Sequence, residues 1–392
     1  MKNSINFIVF FLLVIGNGKF IVDNYGNKVE YIGLVLLLIC SIYNAHFTKT
    51  NIKRSFKIIF CSLIMTLGAF YNNVSNNAKL MIFFSSFLLM NYSEYSKKFI
   101  NENIKIKYIG DALLIGMIVN SLIGIMTGTL GLSFDSNEAI IKVLFLCGYK
   151  IKNYCGGIWL TIYILYYVYY LREKSLPKHK LRFILLSLLI LLCGSKGAFL
   201  LLIIFIIYVN KKNIIKFKEK QNYFFNICIL IIFVFLSIYV YKNFLILIPT
   251  YAYRMRGLNK IFSITTKDYT KFIFGISKIA YANNGLDYTT NMRNFLGWNS
   301  SVEMAYLNIM IKNGFLGILV YLYIFKEIIS KTKFISKDDR NLVFGILIVM
   351  LMSGFTETYI ASIHYVVGPV LFCLINSLII KKSPLKENRW KK

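Results

Sequence analysis

Apolar residues occur in long blocks along the chain, separated by short polar stretches rich in lysine. A helix that crosses a hydrocarbon core of ~30 Å needs roughly 20 residues. Measured against that length, the blocks predict helices near 5–21, 30–47, 58–71, 79–92, 108–130, 154–171, 183–195, 197–209, 223–248, 302–325, 341–356 and 358–380. The stretch Arg182 to Asn210 is too long for one straight span and too short for two. It reads as two short helices that meet at Ser195-Lys196-Gly197, part-way into the outer leaflet. Most connections are brief, but 131–153 and above all 249–301 are long. The second exceeds the usual ceiling of about 12–15 residues for a structureless loop, so it reads as a functional, partly helical element. The expected fold is all-α: one polytopic transmembrane domain over 1–392 with about twelve helices and a large outer loop at 249–301.

Composition agrees: 57% of the 392 residues are hydrophobic and 16% are charged, against about a quarter charged in soluble domains. The formal charge of +29 would by itself suggest nucleic acid or an anionic surface. Its distribution argues otherwise. With both termini cytoplasmic and the 183–209 stretch split in two, the inner loops and tail collect 30 of the 46 Lys and Arg, as short cytoplasmic loops do. Merging the pair would put Lys211, Lys212, Lys216, Lys218 and Lys220 outside. The first apolar run follows Lys2 but has no small-residue cleavage site, so it is kept as a span.

The seven cysteines lie mostly inside apolar runs, without CxxC spacing, and read as small core hydrophobes. His46, His179 and His364 are isolated. No metal ligand set, P-loop or dinucleotide turn is present, and no cofactor is expected.

Three stretches carry the candidate chemistry. The loop 249–301 has a net charge of +5, on the side where positive charge is not expected. Within it Arg254 and Arg256 follow directly on a span, which sets two guanidiniums at headgroup height. Guanidinium forks match phosphate oxygens and stay charged, so a lipid-linked phosphate or pyrophosphate is the ligand they suit. The lysines of this loop equally suit a solvated or headgroup-facing surface, whereas its arginines, Arg293 included, read as functional. Next, at 100° per residue Tyr306, Met310, Gly314 and Gly317 share a helix stripe with Glu303. That places a carboxylate above a glycine-smoothed groove, either as a general base or as the partner of an outer-loop arginine. Lys312 falls on the opposite face and reads as a snorkelling or helix-paired residue. Third, Lys196 sits at the hairpin tip, facing an anion, an aqueous cavity or lipid headgroups. Asp111 and Glu357 have no spacing that raises them above this background.

At these three places the chain resembles the bacterial O-antigen polymerase and O-antigen ligase superfamily (Wzy and WaaL types), multi-spanning GT-C glycosyltransferases. The family's Ser-Arg-Gly-Ala hairpin resembles Ser195-Lys196-Gly197-Ala198. Its outer-loop Arg followed by a Phe-Gly turn resembles Arg254 or Arg256 followed by Phe274-Gly275. Its His-Asn, Tyr-Leu, Gly-x-x-Gly signature is similar to Glu303, Tyr306-Leu307 and Gly314-x-x-Gly317, with Glu in place of the ligases' His. The likeness covers roughly 190–320.

The resemblance implies a plasma-membrane polymerase that transfers glycan from undecaprenyl pyrophosphate to a lipid-linked repeat unit. The implied roles are Glu303 as base, Arg254 and Arg256 on the pyrophosphate, and Ser195, Lys196, Arg293, Tyr306, Gly314 and Gly317 in substrate binding. Its partners would be that lipid-linked oligosaccharide, membrane lipids and a chain-length regulator, with no nucleic acid. The rivals are a ligase that moves finished glycan to lipid A core and, from another class, a lipid-oligosaccharide flippase. A flippase would be expected to carry internal repeats and midplane charges.

Overall fold

The computed structural model describes residues 2–44, 49–95, 103–135, 142–210, 249–282, 284–298, 304–361 and 365–380. The expected span at 223–248, the lysines from Lys211 to Lys220, Glu303, His46, His364, Cys228 and the tail from Lys381 lie outside these residues.

Among the described residues the fold is mostly helical, at 82%. Helices α1 (Lys2–Ile15), α2 (Lys19–Tyr25), α3 (Lys28–Asn44), α4 (Lys49–Tyr71), α5 (Asn76–Tyr95) and α6 (Asn103–Thr127) come first. A ribbon follows, β1 (Leu132–Asp135) and β2 (Lys142–Phe145), antiparallel with Leu132 opposite Phe145. This short ribbon is the one departure from an all-helical expectation, and it occupies the long connection before α7 (Lys152–Arg172). Helices α8 (Lys180–Leu192) and α9 (Lys196–Val209) are separate, as the length argument for 182–210 expected. After 211–248 come α10 (Pro249–Lys267), α11 (Tyr269–Phe274), α12 (Ser277–Ala280) and α13 (Tyr288–Leu296). The long helices α14 (Ala305–Lys331), α15 (Lys337–Thr356) and α16 (Val367–Ile380) complete the chain.

Burial separates the helices by role. From Asn153 to Val168 every residue of α7 is buried, and α16 is nearly as enclosed, with Val370 to Ile375 all in the core. A helix that is apolar all round belongs inside, and α7 packs on α6, α8, α9 and α16. The outer helices keep exposed apolar stripes at helical spacing: Phe60, Leu63 and Leu67 on α4, Ile115, Ile118 and Leu122 on α6, Leu181, Ile184 and Leu188 on α8. Three helices, Lys105–Thr127, Ala305–Phe334 and Lys337–Thr356, are long and apolar enough to cross a membrane. The expected helix from 358 begins instead at Val367, because residues 357–361 turn across the end of the bundle.

The 249–298 segment folds into a helical cap with its own apolar core of Ile261, Ile276, Met292, Leu296, Trp298, Met304 and Leu307. It docks on the first half of α14 where that helix breaks. Gly314 has φ +64 and ψ −160, and the Ile311 carbonyl accepts from the Ile276 amide of the cap at 2.9 Å. The Phe274-Gly275 turn fits into this break: a Cβ on Gly314 would meet the Ile273 carbonyl oxygen at 2.3 Å, and one on Gly68 of α4 would meet the Phe274 oxygen at 2.0 Å. Three backbones therefore meet where only glycine fits. The break also corrects the expected stripe, since the helical path from Tyr306 and Met310 to Gly317 is interrupted at Gly314, and α14 starts only at Ala305.

Candidate functional site

The hairpin between α8 and α9 builds one wall. Gly194 turns with φ +64, and Ser195 caps α9, its Oγ accepting from the Ala198 amide at 3.4 Å. The same hydroxyl donates to Asn153 Oδ1 at 3.3 Å. Gly156 of α7 permits this approach, because a Cβ there would sit 2.5 Å from the Ser195 Cβ. Ser195 is thus buried and structural, fixing the turn, while Lys196 beside it is exposed.

Against the first turn of α9 lies Glu357, only 4% exposed. A methyl placed on Gly197 would come within 2.8 Å of its Oε1, so the carboxylate faces the positive end of the α9 dipole. Glu357 follows directly on α15, and its carbonyl accepts from the Ala305 amide at 3.0 Å, joining the end of α15 to the start of α14. Arg254 reaches the same point from α10. It is 8% exposed, and its Nη2 donates to the Thr356 carbonyl at 3.2 Å, satisfying a helix-end acceptor. A guanidinium, a carboxylate, a capped helix start and an exposed ammonium therefore converge from α9, α10 and α15.

Tyr306 stands next to this cluster in a different role from that expected. Its hydroxyl donates to the Leu351 carbonyl at 2.7 Å, and its ring lies at 4.8 Å from Phe355, edge-on, and against Gly354. It anchors α14 on α15. Gly314 likewise serves the helix break, and Gly317 packs against Asn313 and Ile309 of its own helix. Arg256 is exposed on the following turn of α10. Arg293 lies half-buried on α13, where its carbonyl accepts from Gly297 and Trp298. Trp298 in turn packs on Gly257, so the cap core couples α13 to α10. Glu303 lies outside the described residues, two positions before Ala305.

Glu357 is the residue that sequence reasoning passed over. Its signal was available as an acidic residue at an apolar hairpin tip; what was missing is that the tip folds back onto the Ser195 turn. Three of the scattered cysteines also meet beneath that turn, with Cys155 and Cys193 sulfurs at 3.2 Å and Cys147 beside them. Among the described residues no His, Cys, Asp and Glu group is arranged to hold a metal ion. Asp111 accepts from the Tyr166 hydroxyl at 2.7 Å, a core contact far along the chain from this cluster.

Compared with known proteins, the chain matches no family model and no curated protein.

What the arrangement can do chemically follows from its charges. A buried guanidinium beside a helix start is a fixed anion receptor. The buried Glu357 carboxylate lies on the residue after the Thr356 carbonyl that Arg254 meets, so it adds a negative charge at the same helix end. A ligand oxyanion entering here would meet donors that need no reorganisation.

Proposed function

We propose that the protein is a polysaccharide polymerase of the bacterial plasma membrane, with about twelve spans, cytoplasmic termini and the cap on the outer face. It transfers glycan from an undecaprenyl pyrophosphate donor to a lipid-linked repeat unit. The observation that supports this reading best is the meeting of Ser195-Lys196-Gly197 and Arg254 at the end of α15, next to Tyr306. These are the stretches that resemble the polymerase and ligase superfamily, and nearly 60 residues separate the first two.

In this reading the acceptor hydroxyl oxygen attacks the donor's anomeric carbon and the bond to pyrophosphate breaks. Arg254 and the α9 start receive the charge that develops on the leaving oxygen, with the exposed Lys196 and Arg256 at the rim and Arg293 steadying the cap. Glu303 takes the acceptor proton. Glu357 places a carboxylate next to the Thr356 carbonyl that Arg254 caps, and Tyr306 fixes α14 on α15.

The test is made in the native host by displaying surface polysaccharide on a gel. Arg254→Ala and Glu303→Gln are expected to lower polymer output by about 100-fold or more, leaving single repeats on the carrier. Arg254→Lys, which loses the planar fork, should recover only a small part. Normal long chains from both Arg254→Ala and Glu303→Gln at normal protein levels would overturn the reading. Long chains stranded on the carrier lipid would identify a ligase instead.

A further inference from the structure

Lys312 leaves α14 away from the Tyr306 face, as its sequence position suggested, but it enters a cavity. It is six residues after Tyr306 and precedes the break at Gly314, so the two side chains leave α14 about 120° apart. Tyr306 faces α15, while Lys312 enters a cavity of about 40 Å³ on a different side of α14, lined by Ser85, Ser86, Tyr281, Asn308 and Asn313 among others. Its Nζ sits 4.3 Å from the centre of the Tyr288 ring. The Tyr288 hydroxyl donates to Asn308 Oδ1 at 2.8 Å, and Asn313 Nδ2 donates to the Met65 carbonyl at 2.6 Å. Asn313 and the Tyr288 ring are thereby fixed beside the ammonium. Among the described residues no carboxylate pairs with Lys312.

Enclosing a charge inside a protein is costly even after relaxation, and an aromatic face offsets only part of that cost. The neutral hydroxyls and amides around it add dipoles but no counter-charge. An ammonium held in such a polar chamber within an apolar helix marks a place for an anion.

We propose that this cavity binds one anionic group, a carboxylate or a phosphate, carried by the acceptor glycan. The proposal rests on the polymerase reading for the identity of that glycan. It gives the two lipid-linked substrates different sides of α14: the donor pyrophosphate at Arg254, the acceptor's acidic substituent at Lys312. The first residues of α14 lie between them. The same ligand chemistry has two sources, a uronic acid or a phosphate substituent, and the probes separate them.

The experiment measures thermal unfolding of the full-length protein in detergent with sodium glucuronate, sodium phosphate, glucose, or sodium chloride at matched ionic strength. Saturating glucuronate or phosphate is expected to raise the midpoint by about 2–4 °C over the chloride control, glucose to have no effect, and Lys312→Met to abolish the rise. Whichever anion acts names the source. A parallel measurement needs no variant: in wild-type protein the effective anion should protect Lys312 from acylation, read by peptide mass spectrometry. No rise with either anion, an equal rise in Lys312→Met, or acylation of Lys312 unchanged by the anion would overturn the proposal. Neither readout requires turnover. Loss of anion binding with normal polymer output refutes the cavity's role alone, and normal anion binding with unaffected Arg254 and Glu303 variants refutes the polymerase reading alone.

Discussion

Single side chains set the ends of the cap helices. Asp268 accepts from the Thr270 and Lys271 amides and starts α11, and Asp287 accepts from Thr290 and starts α13. The Thr270 hydroxyl, followed by Lys271, holds the Asp268 carboxyl down at about 2, and the Thr290 contact lowers Asp287. The sign follows from the depressed values. Both caps stabilise fully above the ordinary carboxylate value near 3.8, and the Asp268 contribution is lost as pH falls through about 2. Amide exchange in 269–274 should therefore stay slow at pH 5 and rise below pH 3. Asp287→Ala should destabilise α13 by about 1 kcal/mol at neutral pH, seen as faster exchange at 288–292 with the bundle helices unchanged. Both Asp positions are legible as charges, but their capping role depends on where helices begin inside a segment that the sequence marks only as partly helical. The placement of Glu357 was illegible for a related reason: it is set by the helix start it faces, and Gly197 is 160 residues away in the chain.

At the scale of an element, α14 shows how a correct motif can be given the wrong geometry. The Gly-x-x-Gly pattern at Gly314 and Gly317 reads as a smooth groove if the helix is continuous, because 100° per residue is then carried across it. The helix is not continuous. Gly314 adopts a left-handed φ, and the cap's Phe274-Gly275 turn takes up the freed Ile311 carbonyl. Gly314→Ala would strain the backbone and force a Cβ to 2.3 Å from the Ile273 carbonyl oxygen. The expected cost is about 3 kcal/mol or more, measured as a fall in the unfolding midpoint or in the yield of folded protein. Gly68→Ala acts on the same junction from α4 and should be comparable. The split of 182–210 into α8 and α9 was legible by contrast, since its length fitted neither one span nor two full ones, and Gly194-Ser195 supplied the turn.

Taken as a whole, the molecule has two chemically different ends. Arg172 pairs with Asp339 at 2.8 Å and Lys57 with Glu327, which ties the expected inner loops 48–57, 172–182 and 326–340 to one another at the end away from Glu357. The cap, with its excess of cations, occupies the other end. If the cap faces outward, a single cysteine placed at the exposed Lys267 in a cysteine-free variant should react with a membrane-impermeant maleimide on intact cells, whereas one at the exposed Lys333 should react only after permeabilisation. Equal labelling of both would overturn the orientation. By itself the sequence determined the helical, apolar character, most helix positions, the split hairpin and the arginine at the start of the cap, because length, hydropathy and charge parity are local or additive quantities. Only the tertiary structure decided that Arg254, Glu357 and the Ser195 turn share one point, that Gly314 is a break and that Lys312 enters a chamber. Those facts depend on which distant backbones approach closely enough to exclude a methyl group, and no local pattern encodes that distance.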